Sequence, residues 1–169
     1  MRTAGDPVDP ASAGDADSAD QYRQERSPAP VTRYSDRLAS SHILVVDDSQ
    51  TIRRMVRTSL APLAVEFLEA ASGLEAIERL ALGAVDLIVL DLNMPDMHGL
   101  EVLSFVRAHQ KYRHTPIIVL TTRGDEASRA AALQGGASAY MSKPFTPGAL
   151  AAEARRLLDE HRVPPETGQ

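Results

Sequence analysis

A chain of 169 residues has room for one ordinary domain and little more. Its 18 Lys and Arg against 23 Asp and Glu, a formal net charge of -5, argue against a nucleic-acid surface, which needs clustered basic side chains. The absence of cysteine excludes disulfides, thiolate metal sites and cysteine nucleophiles.

The first stretch, residues 1–40, is rich in Ala, Asp, Ser and Pro and almost devoid of Leu, Ile and Phe. Such a segment buries too little apolar area to offset its ordering entropy, so a disordered extension is expected. It lacks the apolar core of a signal peptide. No run in the chain reaches the roughly 18 apolar residues of a membrane-spanning helix. The expected location is therefore the cytoplasm, without membrane insertion.

From Ser41 the pattern alternates. Ile43-Leu44-Val45-Val46 is a short β-branched run that predicts a buried strand. Ile52, Met55, Val56 and Leu60 recur at helical spacing, and Pro62 stops that helix. Val65 to Leu68 reads as a second strand. Ser72 and Glu75 have capping-box spacing ahead of a helix ending near Gly83. Leu87-Ile88-Val89-Leu90 is the third strand, and Leu100, Val102, Leu103 and Val106 mark the third helix. Pro116 to Leu120 is the fourth strand. Asp125 to Gln134 is an Ala-rich helix closed by Gly135-Gly136. Ala139-Tyr140-Met141 is a short fifth strand. Thr146 and Pro147 supply a cap and a first-turn proline for a last helix, with Leu150, Ala154, Leu157 and Leu158 on one face.

Strands that are apolar on both faces and joined by helices specify an α/β fold, a parallel five-stranded sheet covered on both sides. The domain spans 41–161, and 162–169 form a flexible tail. In such sheets ligands bind outside the carboxyl ends of the strands, at the topological switch point.

Those ends carry the chemistry. Strand one is followed by Asp47-Asp48, strand three by Asp91, strand four by Thr121-Thr122 and strand five by Ser142-Lys143-Pro144. One lysine cannot balance three clustered carboxylates, and like charges a few ångströms apart raise a pKa or push loops apart. A hard divalent cation is the natural remedy. Mg²⁺ keeps several waters and commonly takes one or two carboxylates plus a phosphate. The edge therefore suits Mg²⁺ and one phosphoryl group.

Val46-Asp47-Asp48-Ser49, Leu90-Asp91-Leu92-Asn93-Met94-Pro95, Thr121 and Lys143-Pro144-Phe145, in this order over about residues 41–160, resemble the receiver domain of bacterial two-component response regulators. The similarity is nearest to the single-domain chemotaxis type. The resemblance implies a doubly wound, flavodoxin-like (βα)5 fold and assigns roles. Asp91 would be the nucleophile that accepts a phosphoryl group from a kinase phosphohistidine. Asp47 and Asp48 would hold Mg²⁺, with Asp91 and the backbone carbonyl of Asn93 completing the protein ligands. Lys143 would pair with the phosphoryl oxygens, and Thr121 would bond the third oxygen. Tyr140 would be the switch aromatic. The Lys143-Pro144 bond is cis in this family.

Blander readings stand beside these. An Asp-Asp pair alone is more often a helix N-cap, Thr121 alone is a β-former, and Tyr140 alone is core. Arg53, Arg54 and Arg57 read as a solvated basic face, with docking of an acidic partner as the rival. His42, His98, His109, His114 and His161 lack ligand spacing and read as surface residues. Met94 and Met97 read as loop packing.

The residues after about 160 are too few for a helix-turn-helix module. Output is thus expected through protein–protein binding, on a face formed by helix four, strand five and helix five that includes Tyr140, Phe145 and Arg123. The expectation is a monomeric stand-alone switch in chemosensory or motility control, fed by a histidine kinase, and not a turnover enzyme. The alternatives are a phosphorelay intermediate that passes phosphate to a histidine phosphotransfer protein, and a phosphorylation-independent adaptor. An aspartyl phosphatase is rejected because Asn93 stands where its second aspartate belongs. A dinucleotide enzyme is disfavoured because Asp47-Asp48-Ser49 is not glycine-rich.

Overall fold

The computed structural model describes residues 41–122 and 124–162. The expectations for 1–40, for Arg123 and for 163–169 lie outside the described residues. Strands β1 (His42–Val46), β2 (Glu66–Ala70), β3 (Leu87–Leu90), β4 (Ile117–Thr121) and β5 (Ala139–Ser142) alternate with helices α1 (Gln50–Leu60), α2 (Gly73–Leu82), α3 (Gly99–Ala108), α4 (Glu126–Gln134) and α5 (Pro147–Arg162). All strand pairs are parallel, in the order β2-β1-β3-β4-β5. This is the flavodoxin-like receiver fold expected from the sequence.

Alternation along the strands sorts the core into two layers. Leu44, Val46, Ile88, Leu90, Ile117 and Val119 pack with Leu80 of α2, Val102, Leu103 and Val106 of α3 and Ala132 of α4. Ile43, Val45, Leu87, Val89, Ile118 and Leu120 pack with Val56 and Leu60 of α1 and with Leu150, Ala154, Leu157 and Leu158 of α5. The face predicted for the last helix is thus the face it buries. Most of the core is aliphatic, in keeping with 4% aromatic content.

Caps fix where the helices begin. Ser49 accepts from the Ile52 N–H at the start of α1, and Asp125 accepts from the Ser128 N–H at the start of α4. Thr146 Oγ1 accepts from the Ala149 N–H, and Pro147 opens α5 as predicted. Ser72 caps α2 by accepting from the Glu75 N–H, but Glu75 reaches back to the Ala71 N–H at 2.8 Å, one residue before the cap. The return half of the predicted box is therefore shifted by one position.

Some boundaries differ from the sequence reading for identifiable reasons. Pro62 lies inside a 3₁₀ turn, Ala61–Leu63, that follows α1 and closes on Ala64 with φ 53°. Strand β2 begins at Glu66 and runs to Ala70, because its register with β1 pairs His42 with Glu66 and Val46 with Ala70. Strand β4 extends to Thr121, which pairs with Ser142. Helix α5 runs through Arg162, whose guanidinium donates to Ser41 Oγ beside the start of β1.

Candidate functional site

The strand order changes direction between β1 and β3, which makes their carboxyl ends the switch point of the sheet. Val46 pairs with Leu90, and the Asp91 N–H donates to the Val46 carbonyl at 2.9 Å. That register sets Asp47 and Asp91 side by side. Asp47, Asp48 and Asp91 each offer a carboxylate oxygen, and the three oxygens lie within 4.8 Å of one another.

Asp47 and Asp91 are 4% and 5% exposed, whereas Asp48 faces solvent. Lys143, from the loop after β5, reaches both buried carboxylates. Its Nζ is 2.5 Å from Asp47 Oδ2 and 3.5 Å from Asp91 Oδ1. Asp47 Oδ1 also accepts from the Ser49 N–H at 2.9 Å. One ammonium against three carboxylates leaves the cluster net negative. Burial pushes the Asp91 carboxyl above the ordinary 3.8; Lys143 opposes the rise, and the neighbouring Asp47 adds to it. Oxygen donors, excess negative charge and an opening to solvent fit a hard divalent cation.

The backbone around Asp91 is packed against α3. A Cβ on Gly99 would lie 2.3 Å from the Asp91 carbonyl oxygen and 2.7 Å from Leu92 Cα. Glycine is what allows the start of α3 to approach the strand end. The Gly99 N–H donates to the Leu92 carbonyl at 2.9 Å. His98 is exposed as expected and is in addition the N-cap of α3: its Nδ1 accepts from the Leu100 N–H, and its own N–H donates to Glu101. The Glu three residues after His98 was the available signal.

Thr121 is fully buried at the end of β4. Its carbonyl accepts from the Lys143 N–H at 2.8 Å, and its hydroxyl accepts from Asn93 Nδ2 at 3.0 Å. The cleft over the carboxylates is lined by Asp47, Asp48, Asp91, Asn93, Lys143 and Thr122, and it continues into an apolar wall of Ile52, Met55, Pro144 and Phe145. Thr122, not Thr121, borders that space. The Lys143-Pro144 bond is cis.

Tyr140 is half-buried and packs against the core layer under α2, α3 and α4. Burial raises its phenol pKa, Asp125 and Glu126 raise it further, and Arg129 counters them. It borders a shallow cavity with Arg129, Leu133, Met141 and Glu153, between α4 and α5. Arg53 and Arg57 are not simply a solvated face: both pair with Glu69 on β2, at 2.9 and 2.7 Å, and Arg53 also donates to the Asp47 carbonyl at 2.7 Å. Met94 is 8% exposed in the core, and Met97 packs against it, as loop packing requires.

Fold and site together define an α/β protein with an acidic, lysine-bridged cleft at the switch point of its sheet. A family model described as the response regulator receiver domain matches residues 43–155. The chemotaxis protein CheY1 of Helicobacter pylori strain J99 is 44% identical over 110 residues, covering 64% of this chain and 89% of that protein. The chemotaxis protein CheY homolog of Campylobacter jejuni strain 81-176 is 42% identical over 118 residues, or 69% of this chain and 91% of that protein. The structure of the chemotaxis response regulator CheY4 of Vibrio cholerae superposes with a TM-score of 0.65 at 36% identity, over 70% of this chain and 98% of that one. The chain belongs to the response regulator receiver domain family. Among the described residues, no helix is long and apolar enough to cross a membrane.

Proposed function

We propose that this chain is a phosphorylation switch in chemosensory or motility control, with Asp91 as the phosphoacceptor. The observation that carries the reading is the convergence of Asp47, Asp48 and Asp91 on one point with Lys143 across them. A carboxylate oxygen of Asp91 would attack the phosphorus of a kinase phosphohistidine. The P–N bond breaks, its electron pair returns to the imidazole nitrogen, and an aspartyl phosphate forms. Asp47, Asp48, Asp91 and the backbone carbonyl of Asn93 would hold Mg²⁺, which would supply charge neutralisation for the transferring oxygens. Lys143, already between two carboxylates, would pair with a phosphoryl oxygen, and the Thr121 hydroxyl would bond another. The chain catalyses its own phosphorylation and dephosphorylation and turns over no external substrate.

Output would pass through the face of α4, β5 and α5, where Tyr140 sits half-buried and would turn inward when Thr121 moves toward the phosphoryl group. A downstream protein is the partner there. Nucleic acid is not a partner, and the working state is a monomer in the cytoplasm. The chemotaxis relatives support a switch over a relay intermediate.

The test is phosphotransfer. An autophosphorylated chemosensory histidine kinase should pass its phosphoryl group to this chain and not to Asp91→Asn. The labelled chain is then mixed with a histidine phosphotransfer protein. Retention of the label fits a switch, whereas rapid transfer onward would assign it to a relay. No transfer from any phosphohistidine donor would favour the adaptor.

A further inference from the structure

Asn93 occupies a special place in the cleft. Its backbone carbonyl would serve the metal, while its side chain bonds to a different residue. Asn93 Nδ2 donates to Thr121 Oγ1 at 3.0 Å. Asn93 borders the cleft and is partly exposed, while Thr121 is fully buried and does not border it. The amide therefore joins the Thr121 hydroxyl to the lining of the cleft in which a phosphoryl group on Asp91 would lie. The Thr121 backbone is held by the ladder bond from the Lys143 N–H, so a rearrangement of this residue falls on its side chain. In the present arrangement the hydroxyl accepts from an amide; against a phosphoryl oxygen it has to donate.

We propose that the Asn93 side chain is a positioning residue that latches Thr121 in its unphosphorylated arrangement, so that the phosphoryl group on Asp91 must displace the Asn93–Thr121 hydrogen bond before Thr121 can engage. Asn93 then acts on the switch through Thr121 and sets part of the free energy separating the two states. This inference rests on the reading of Asp91 as phosphoacceptor. It predicts that loss of the latch favours the phosphorylated arrangement, opposite in sign to loss of a residue that stabilises the phosphoryl group. The effect should be about two- to tenfold, the range for one neutral hydrogen bond.

The experiment is a double-mutant cycle with beryllofluoride, a phosphoryl mimic, in the presence of Mg²⁺. Affinity is measured by calorimetry for the unsubstituted chain, Asn93→Ala, Thr121→Val and the double variant. Asn93→Ala is expected to tighten binding about two- to tenfold when Thr121 is present and to leave it unchanged when Val stands at 121. An equal shift in both backgrounds, no shift, or weaker binding would overturn the latch. Nuclear magnetic resonance of the unsubstituted chain gives a check independent of any variant. The Asn93 side-chain amide protons should lose their protection from solvent exchange when beryllofluoride binds, and retained protection would overturn the proposal. Failure of the unsubstituted chain to bind beryllofluoride is a separate result that overturns the phosphoacceptor reading itself.

Discussion

The Lys143 ammonium donates to Asp47 Oδ2 at 2.5 Å across 96 positions of sequence, and it does so with both side chains at least nine-tenths buried. The pair joins the loop after β5 to the end of β1 and holds the cleft together. Its energy is not simply favourable, because taking two charges from water costs most of what their attraction returns. The consequence appears when one partner is removed.

Lys143→Met should leave Asp47 and Asp91 as adjacent buried carboxylates without a cation. The expected destabilisation is about 3–5 kcal/mol, the usual result of breaking a buried pair from one side. Denaturant unfolding in metal-free buffer measures it. Mg²⁺ should restore part of the loss, since it would supply the missing positive charge. Unchanged stability would mean that the ammonium is not the main compensation for these carboxylates.

Asp91 should behave in the opposite sense. Burial raises its carboxyl above the ordinary 3.8, so the ionised form is disfavoured by folding. A raised folded pKa contributes stability that is fully present below the unfolded value near 3.8 and is lost as pH rises through the higher folded value. In metal-free buffer at pH 7, Asp91→Asn is therefore expected to unfold at a higher temperature than the unsubstituted chain, by a few degrees for each kcal/mol relieved. The gap should close as pH falls toward 4. Thermal scans across that window check the sign, and a variant less stable than the parent at pH 7 would contradict it.

Asp48 faces solvent while Asp47 is buried, so the two neighbours separate metal binding from folding. Asp48→Asn should change stability by no more than about 0.5 kcal/mol in metal-free buffer. Its Mg²⁺ affinity should fall by about tenfold or more, at least the penalty for losing an outer-shell partner. The stabilisation expected from Mg²⁺ in the parent chain, which would grow with concentration over Kd, should shrink accordingly. Calorimetric Mg²⁺ titration of both proteins decides the point.

Gly99 and Gly148 form a matched contrast. A Cβ on Gly99 would overlap the Asp91 backbone, whereas one on Gly148 meets nothing within 4 Å. Gly99→Ala should cost about 1–3 kcal/mol, because either α3 or the strand end must move. Gly148→Ala, within α5, should stabilise by about 0.4–1 kcal/mol through the unfolded chain. Urea midpoints at constant slope measure both.

The fold was legible where burial is complete. Leu87–Leu90 and Ile117–Leu120 lie between two helical layers, so they are apolar at every position, and the polar residue after each marks the strand end. Asp47, Asp91 and Lys143 could be brought together because a parallel sheet puts all its carboxyl ends at one edge. What escaped was side-chain pairing across loops. The Asn93–Thr121 bond depends on where the β3–α3 loop turns, which no periodicity encodes. The Arg53–Glu69 pair depends on the β1–β2 register, and Arg53 in isolation looks like any solvated helix residue. The αR-to-αL turn at Ala64 also left no trace, since alanine is not a residue associated with positive φ.

Asp91 is proposed to accept a phosphoryl group with a divalent cation in attendance. Intact-mass spectrometry after incubation with acetyl phosphate tests it most directly, with and without Mg²⁺ and alongside Asp91→Asn. One phosphoryl group should be added to the unsubstituted chain, only with Mg²⁺, and none to the variant. An adduct that forms without Mg²⁺, or that persists in Asp91→Asn, would contradict it.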